Sequence, residues 1–336
     1  MALTYISLVI PNRDGREYLE KCLEALVVQT QRPMETIVVD DASQDESVAF
    51  LGERFPWVKV LCSSEEGAPQ GFARAANVGI RASTGTAVAL LNNDTIADKT
   101  WLEEMARALE RHPRAASASC RMLCRDRRRV NALGLQFRAD GTCAALASEE
   151  ADGPRFDREC EVFGPSGGAA LWRRKALEDI GLFDEDFFAY YEDADLAFRA
   201  RAAGYASVYA PRSRVVHLEA RCPSLSRVDK VALRLRNMVW FAALNFPPEL
   251  LRRQFPGIPF RMRLRYFLKY GLRPWKVEGR AFWKAARMLA FSSGRTAEKR
   301  EKRLAAHTAH TADLMRWMGR DPFQEPDDPG VIKNSV

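Results

Sequence analysis

Thr36-Ile37-Val38-Val39-Asp40-Asp41-Ala42-Ser43 is a short, apolar, β-branched run that ends in two acids. Runs of this kind read as strands covered on both faces, which implies a parallel sheet with helices packed on it. Ala87-Val88-Ala89-Leu90-Leu91-Asn92-Asn93-Asp94 repeats the pattern with a third terminal acid, and Ile6 to Ile10 supplies a first strand ahead of Pro11-Asn12-Arg13. In open α/β sheets ligands bind in the crevice beyond the carboxyl ends of the strands, and the acids fall there. A second pair, Glu192-Asp193, stands about halfway along the chain. The pattern is that of an enzyme with an acidic, metal-dependent site.

Outward from these runs, strands alternate with amphipathic helices from Ser7 to about Tyr209, as in a sheet built from right-handed crossovers. The periodicity predicts helices over 17–29, 47–54, 71–80 and 101–111, and strands at 36–39, 58–62 and in the run ending at Asp94. The helix after Gly71 is rich in small residues and is expected to lie close on the sheet. Residues from about Arg121 to Cys160 are polar and weakly periodic and read as an irregular excursion. An apolar pattern resumes between Val162 and Trp172. Beyond Arg221 the strands stop. Val228, Val231, Ala232, Leu235, Met238, Val239 and Ala242 share one helical face, with Arg227, Lys230, Arg234 and Arg236 largely off it.

The chain has 336 residues, enough for one large domain with an appendage. Its start is apolar but has no basic n-region and runs straight into Pro11 and Arg13, which favours a first strand over a signal peptide. No apolar run approaches the ~20 residues that span a bilayer. Seven cysteines without a CxxC pair indicate reduced thiols in a cytosolic protein. Cys120 and Cys124 lack partners at zinc-finger spacing and read as buried or idle thiols. The net charge of +7 is unevenly spread: Arg221 to Arg320 holds 23 Lys and Arg against 6 Asp and Glu, a balance of +17, and the remainder carries −10. The chain therefore divides into residues 1–220, a basic helical region at 221–320, and a Pro- and Asp-rich tail at 321–336 that is expected to be disordered.

Read together, the motifs resemble family 2 of the glycosyltransferases, inverting enzymes with the GT-A fold, a mostly parallel mixed sheet flanked by helices. The matches are Ser7 to Arg13, Val38 to Ser43, Gly71-Phe72 with Asn77 to Ile80, Leu91 to Asp94, and Tyr191 to Arg199 with Gly204-Tyr205. They cover roughly residues 5 to 220. Asn92-Asn93-Asp94 and Gly181-Leu182-Phe183-Asp184-Glu185-Asp186-Phe187-Phe188 look most like bacterial enzymes that add rhamnose or a related sugar to surface glycans.

The resemblance implies roles for these residues. Asp41, with Asp40 in support, would read the base of a UDP- or dTDP-sugar flanked by Pro11, Asn12 and Arg13, with Asn77 and Asn93 also on the donor. The alternative is a helix N-cap in which Asp40 or Ser43 satisfies backbone donors. Asp94 takes the last position of a DxD motif and would hold Mg²⁺ or Mn²⁺ together with His217. Asn92 replaces the first acid, and a neutral amide is a poorer ligand for a hard cation. Asp193 would be the general base beside Glu192, although acids at a helix start also complement its dipole. Gly167, Gly168 and Tyr191 would face the acceptor; a tight turn is the other reading of the two glycines.

The basic, aromatic C-terminal region admits three readings: a solvated face or dimer contact, nucleic-acid binding, and an anionic membrane surface. No nucleic-acid module accompanies the charge, and Arg, Trp, Phe and Tyr interleaved in this way suit a membrane interface. The expectation is a peripheral enzyme on the cytoplasmic face of the cell membrane, acting on a glycan or polyprenyl-diphosphate-linked glycan, with a homodimer as a further possibility. Two other classes compete with this reading. A sugar-nucleotide pyrophosphorylase would need a Gly-rich basic loop where Pro11 to Gly15 stands, and a catalytically silent scaffold would not need Asp41, Asp94, Asp193 and His217 together.

Overall fold

The computed structural model describes residues 5–64, 67–219, 225–254, 276–290 and 293–324. Strands β1 (Ile6–Asn12), β2 (Glu35–Asp40), β3 (Lys59–Cys62) and β4 (Ala87–Leu91) are those that the apolar runs predict, and they pair in parallel in the order β3-β2-β1-β4. Helices α1 (Arg16–Val27), α2 (Ser47–Arg54) and α3 (Phe72–Ala82) connect them. The small-residue helix α3 does lie close on the sheet: a Cβ on Gly79 would come 2.3 Å from Val9 Cγ1.

Past β4 the chain adds a short strand β5 (Thr95–Ala97), helix α4 (Trp101–Arg111) and a strand that the sequence pattern hides, β6 (Ala115–Leu123). All nine β6 residues are buried. Alanines, serines and one arginine gave no apolar run, yet every polar side chain there is paired, as buried polar groups must be. Ser117 Oγ meets Ser207 Oγ at 2.7 Å, Ser119 Oγ donates to the Leu133 carbonyl at 2.7 Å, and Arg121 donates to Tyr209 Oη at 3.0 Å and Asp157 at 2.6 Å.

The expected excursion begins only after β6 and carries short strands: β7 (Val130–Ala132), β8 (Leu135–Phe137), β9 (Cys143–Ala145) and β10 (Cys160–Glu161). Strand β11 (Ala169–Arg173) is the ordered part of the run from Val162, and it inserts antiparallel between β4 and β6. After α5 (Arg174–Ile180) and α6 (Glu192–Ala202), β12 (Ala206–His217) runs parallel to β6 and pairs antiparallel with β5 and β10.

Helix α7 (Arg227–Asn245) is followed by α8 (Pro248–Gln254) and by helices at Val277–Ala290, Ser293–Ala305 and Thr311–Met315. The predicted face of α7 packs Val228, Val231, Ala232 and Leu235 against Ala281 and Ala285. A second, unpredicted face places Trp240, Phe241 and Leu244 in one core cluster with Phe137, Phe163, Phe187 and Phe198 of the sheet domain. Trp240 and Phe241, two aromatics of the basic C-terminal region for which a membrane surface was expected, are therefore interior residues. Trp275, Phe291 and Arg261 to Arg265 of the same region lie outside the described residues. Of the expected disordered tail, residues 321–324 fold back, with the Phe323 ring 5.1 Å from Phe156 and 5.4 Å from Tyr209. Among the described residues no helix is long and apolar enough to cross a membrane.

Candidate active site

The parallel register sets Asn12 level with Asp40, and the loop after β4 closes on both. Asn93 Nδ2 donates to Asn12 Oδ1 at 2.7 Å, and Asn12 Nδ2 donates to Asp40 Oδ1 at 3.1 Å. Asp40 also accepts from the Ser43 amide at 3.0 Å and hydroxyl at 2.6 Å, so its carboxylate ties strand ends together through a turn ahead of α2 and is not a helix N-cap, since α2 starts at Ser47 behind Glu46. A Cβ on Gly15 would meet Asn93 Nδ2 at 2.0 Å and Asn12 Oδ1 at 2.5 Å, so a side chain there would displace this amide pair.

Asp41 points the other way, into the wall of a cavity of about 350 Å³ that Pro11, Asn12, Arg13, Asn93, Asp94 and His217 also line. It accepts from the amides of Gln70 at 2.7 Å and Gly71 at 2.9 Å, with the Arg13 guanidinium 3.9 Å away. Gly71 has φ +89°, and a Cβ there would fall 2.5 Å from the Phe188 carbonyl oxygen. The cavity is thus built on Asp41, Gly71 and Phe188 in contact. Asn77 lies elsewhere: its side chain donates to the Phe183 carbonyl and Glu185, both at 2.9 Å, and accepts from the Phe183 amide at 3.0 Å. It holds the loop before α6 and does not line the cavity.

Pairing of β5 with β12 sets His217 opposite Thr95, which brings His217 Nε2 to 3.2 Å from Asp94 Oδ1. Asn131 Nδ2 donates to Glu219 Oε1 at 2.7 Å, so its Oδ1 is the atom that faces His217 Nδ1 at 3.3 Å. Both ring nitrogens therefore face an oxygen atom, and the Asn131 contact at Nδ1 fixes the plane of the ring. An imidazole nitrogen and a carboxylate oxygen this close are a pair that a cation could share. Asn131 lies in the excursion, where no sequence signal marked it.

Glu192 and Asp193 begin α6 outside the cavity lining and are joined to it by Gly167 and Gly168. The Gly167 amide donates to Asp193 Oδ2 at 3.0 Å, and Gly168 O accepts from the Asn92 amide at 2.8 Å. A Cβ on Gly167 would sit 3.4 Å from Asp193 Cβ and 3.5 Å from the Phe72 ring, ordinary contact distances, whereas one on Gly168 would come 3.0 Å from Met122 Cε. Glu192 is buried with Oε2 lacking a hydrogen bond, and burial, reinforced by the neighbouring Asp193 charge, pushes its carboxyl up to about 8. Burial raises Asp193 as well, against the amides of Gly167 and Ala194 that favour its charged form. Asp195, fully buried, goes the other way. Its burial opposes ionisation, but Arg199 and Arg303, with Asn245, hold its carboxyl below the usual range.

The chain leading into α6 is strained. Phe188 has φ 65° and ψ −66° with the Ala189 amide donating to the Phe187 carbonyl at 2.8 Å, the rare positive-φ γ-turn. Tyr190 and Tyr191 follow at φ 70° and 71°. Such conformations cost on the order of 1–3 kcal/mol each for a residue with a side chain. Helix α7 and the helix Ser293–Ala305 hold the segment from behind. Lys299 pairs with Asp184 at 2.6 Å and Asp186 at 2.7 Å, and Arg303 pairs with Asp184 at 2.6 Å and with Asp195. Two cations of the basic C-terminal region, Lys299 and Arg303, are therefore spent on acids flanking the site.

Residues 4–237 match the family model described as glycosyltransferase like family 2. The chain belongs to glycosyltransferase family 2. Among curated relatives, this glycosyltransferase is 28% identical over 254 residues to N-acetylglucosaminyl-diphospho-decaprenol L-rhamnosyltransferase of Mycobacterium tuberculosis, covering 67% of this chain and 80% of that protein. It is 24% identical over 225 residues to the O-antigen biosynthesis protein RfbC of Myxococcus xanthus, covering 64% of this chain but 17% of the relative. Among solved structures it resembles S. aureus TarS 1–349 with a TM-score of 0.54 at 15% identity over 90% of both chains. It also resembles GalNAc-T7 solved with UDP, GalNAc and Mn²⁺, with a TM-score of 0.56 at 16% identity over 72% of this chain and 48% of that one. These likenesses show the GT-A fold. Membership in a transferase family sets aside the pyrophosphorylase and the silent scaffold.

Several residues of the site had no signature in the sequence. Asn131, together with Arg236, Asn237 and Arg303 behind the loop, acts through contacts tens of residues distant, whereas Phe72 and Phe188 stand inside two of the quoted motifs.

Proposed function

We propose that this glycosyltransferase moves a sugar, rhamnose by likeness to its relatives, from a UDP- or dTDP-sugar onto a glycan carried on a polyprenyl diphosphate, with inversion at the anomeric carbon. The observation that carries the reading is the approach of His217 Nε2 to Asp94 Oδ1 in the lining of a cavity that Asp41 also lines. Asp94 and His217 would hold Mg²⁺ or Mn²⁺, and a cation there supplies Lewis-acid neutralisation of charge on a departing diphosphate. Pro11, Asn12 and Arg13 bound the nucleotide space, and Asp41 is the carboxylate placed to accept a base imide proton. Its amide partners at Gln70 and Gly71 fix it in that orientation.

Asp193 is the general base. An acceptor hydroxyl approaching past Gly167 meets Asp193 Oδ2, which takes the proton as the oxygen attacks; its raised affinity for protons suits that task. Membrane docking is part of the proposal: Trp283 is 48% exposed on the helix Val277–Ala290, with exposed Arg280 and Arg287 beside it in sequence. A surface of this kind fits a lipid-linked acceptor.

Calorimetric titration of UDP and dTDP with Mn²⁺ or with EDTA tests the metal and donor. Binding is expected to need the cation and to lose that dependence in Asp94→Ala; equal affinity with and without EDTA refutes it. Product from dTDP-rhamnose and a polyprenyl-diphosphate N-acetylglucosamine acceptor is expected to carry inverted anomeric configuration. Retention refutes the single displacement.

A further inference from the structure

We propose that Asn237, braced by Arg236, is a positioning residue for transfer: it holds residues 186–191 in the strained conformation that both shapes the donor cavity and presents Glu192-Asp193. The inference rests on the transferase reading above and adds residues that lie outside both the cavity and the acid pair.

Asn237 is fully buried on α7, and the two hydrogens of its Nδ2 are shared among three loop carbonyls, Phe187 at 2.9 Å, Ala189 at 2.8 Å and Tyr190 at 2.6 Å. Arg236 Nε donates to Asn237 Oδ1 at 2.7 Å, which fixes the amide with its nitrogen toward the loop. Arg236 Nη2 donates to the carbonyls of Asp186 and Phe187, both at 2.8 Å. The Arg234 guanidinium covers the Tyr190 ring at 4.5 Å. Two adjacent side chains thus gather four carbonyls from a segment in which Phe188, Tyr190 and Tyr191 all have positive φ.

A backbone in these conformations persists only where its surroundings over-determine it. Without the amide, the carbonyls of Ala189 and Tyr190 lose a buried donor while Phe187 keeps Arg236 and the Ala189 amide, and the 189–190 backbone is then free to relax toward ordinary φ. Both ends of the loop would follow. The Phe188 carbonyl accepts from the Ala73 amide at 3.2 Å and touches Gly71, whose own amide is held by Asp41. Tyr191 is the residue before α6, and its carbonyl accepts from the Asp195 amide at 2.9 Å. One buried amide therefore reaches the nucleotide wall on one side and the base on the other.

The test compares full-length Asn237→Leu and the milder Arg236→Met with Gln29→Leu. Gln29 is also a buried amide, with donors to the Ala25 and Asp98 carbonyls, and has no contact with this loop. Amide hydrogen exchange over 187–194 is expected to accelerate roughly tenfold or more in Asn237→Leu, less in Arg236→Met, and not in Gln29→Leu. UDP or dTDP affinity in the presence of Mn²⁺ should weaken about tenfold, equivalent to 1.4 kcal/mol, in the loop variants alone. Turnover should fall, and the acidic limb of its pH profile should move to lower pH as Asp193 loses its enclosure. Wild-type exchange over 187–194 in a folded Asn237→Leu overturns the proposal, as does an equal response in Gln29→Leu. If the wild-type chain binds neither nucleotide, the donor reading fails, and the exchange comparison still decides whether Asn237 sets the loop.

Discussion

Replacing Glu192 with Gln removes one buried ionisable group while keeping its shape, and the consequence for stability is set by pH. In the folded chain this carboxyl is raised to about 8 from an ordinary value of 4.5. Below 4.5 the group is protonated in both states and contributes no slope. Between these values the unfolded chain has released the proton that the folded chain still binds, so stability falls as pH rises, by about 1.4 kcal/mol per unit. Across the full window the loss is on the order of 5 kcal/mol, a large fraction of the 5–15 kcal/mol typical of a whole protein. Glu192→Gln lacks that term. Any cost of seating an amide beside Asp193 is nearly the same at all pH values, so the readout is the slope and not the absolute stability. Urea unfolding at pH 5, 6, 7 and 8 should show the variant gaining on the wild type by several kcal/mol over that range, at unchanged m-value. Parallel pH dependences would refute the assignment of a buried, protonated Glu192.

Asp193→Asn should leave UDP and dTDP affinity intact and lower turnover by about 10²-fold or more, the scale of a lost general base; near-normal turnover in steady-state assays removes Asp193 from that role. Arg303→Met strips partners from two buried acids, Asp184 and Asp195, and should destabilise the chain by about 3 kcal/mol even though Lys299 and Arg199 remain. An unchanged urea midpoint would show those pairs to be dispensable. Sedimentation with anionic vesicles should be strong at low salt, weak at high salt, and reduced when Arg280 and Arg287 become Gln and Trp283 becomes Ala; binding indifferent to all three changes assigns the exposed charge to a solvated face.

What the sequence made legible follows from where burial leaves a one-dimensional trace. Strands β1, β2 and β4 are sandwiched between helices, so their residues must be apolar on both faces, and their ends announce Asn12, Asp41 and Asp94. Strand β6 is equally buried but spends one face on Ser117, Ser119 and Arg121, whose partners lie 14 to 90 residues away. No local pattern records such pairings. Helix α7 carries a similar ambiguity, since Arg236 looked solvent-facing by its charge and is interior because backbone carbonyls of the 186–187 turn receive it. His217 was visible only through the family resemblance, as a histidine downstream of the second acid pair. Its orientation depends on Asn131, in a stretch whose periodicity is too weak to place anything.

The ion pairs of Lys299 and Arg303 with Asp184, Asp186 and Asp195 alter what the basic C-terminal region is. A boundary near residue 220, drawn from charge and motif coverage, cuts between these cations and the acids they neutralise. A recombinant fragment ending there would leave three carboxylates together with no counter-charge from the helix Ser293–Ala305 and expose Phe198 and Phe187 where Phe241 and Trp240 now pack. Any hybrid that borrows the first 220 residues must therefore import a matching set of cations with its new C-terminal half, and two relatives that differ at these acids are not interchangeable on either side of the join.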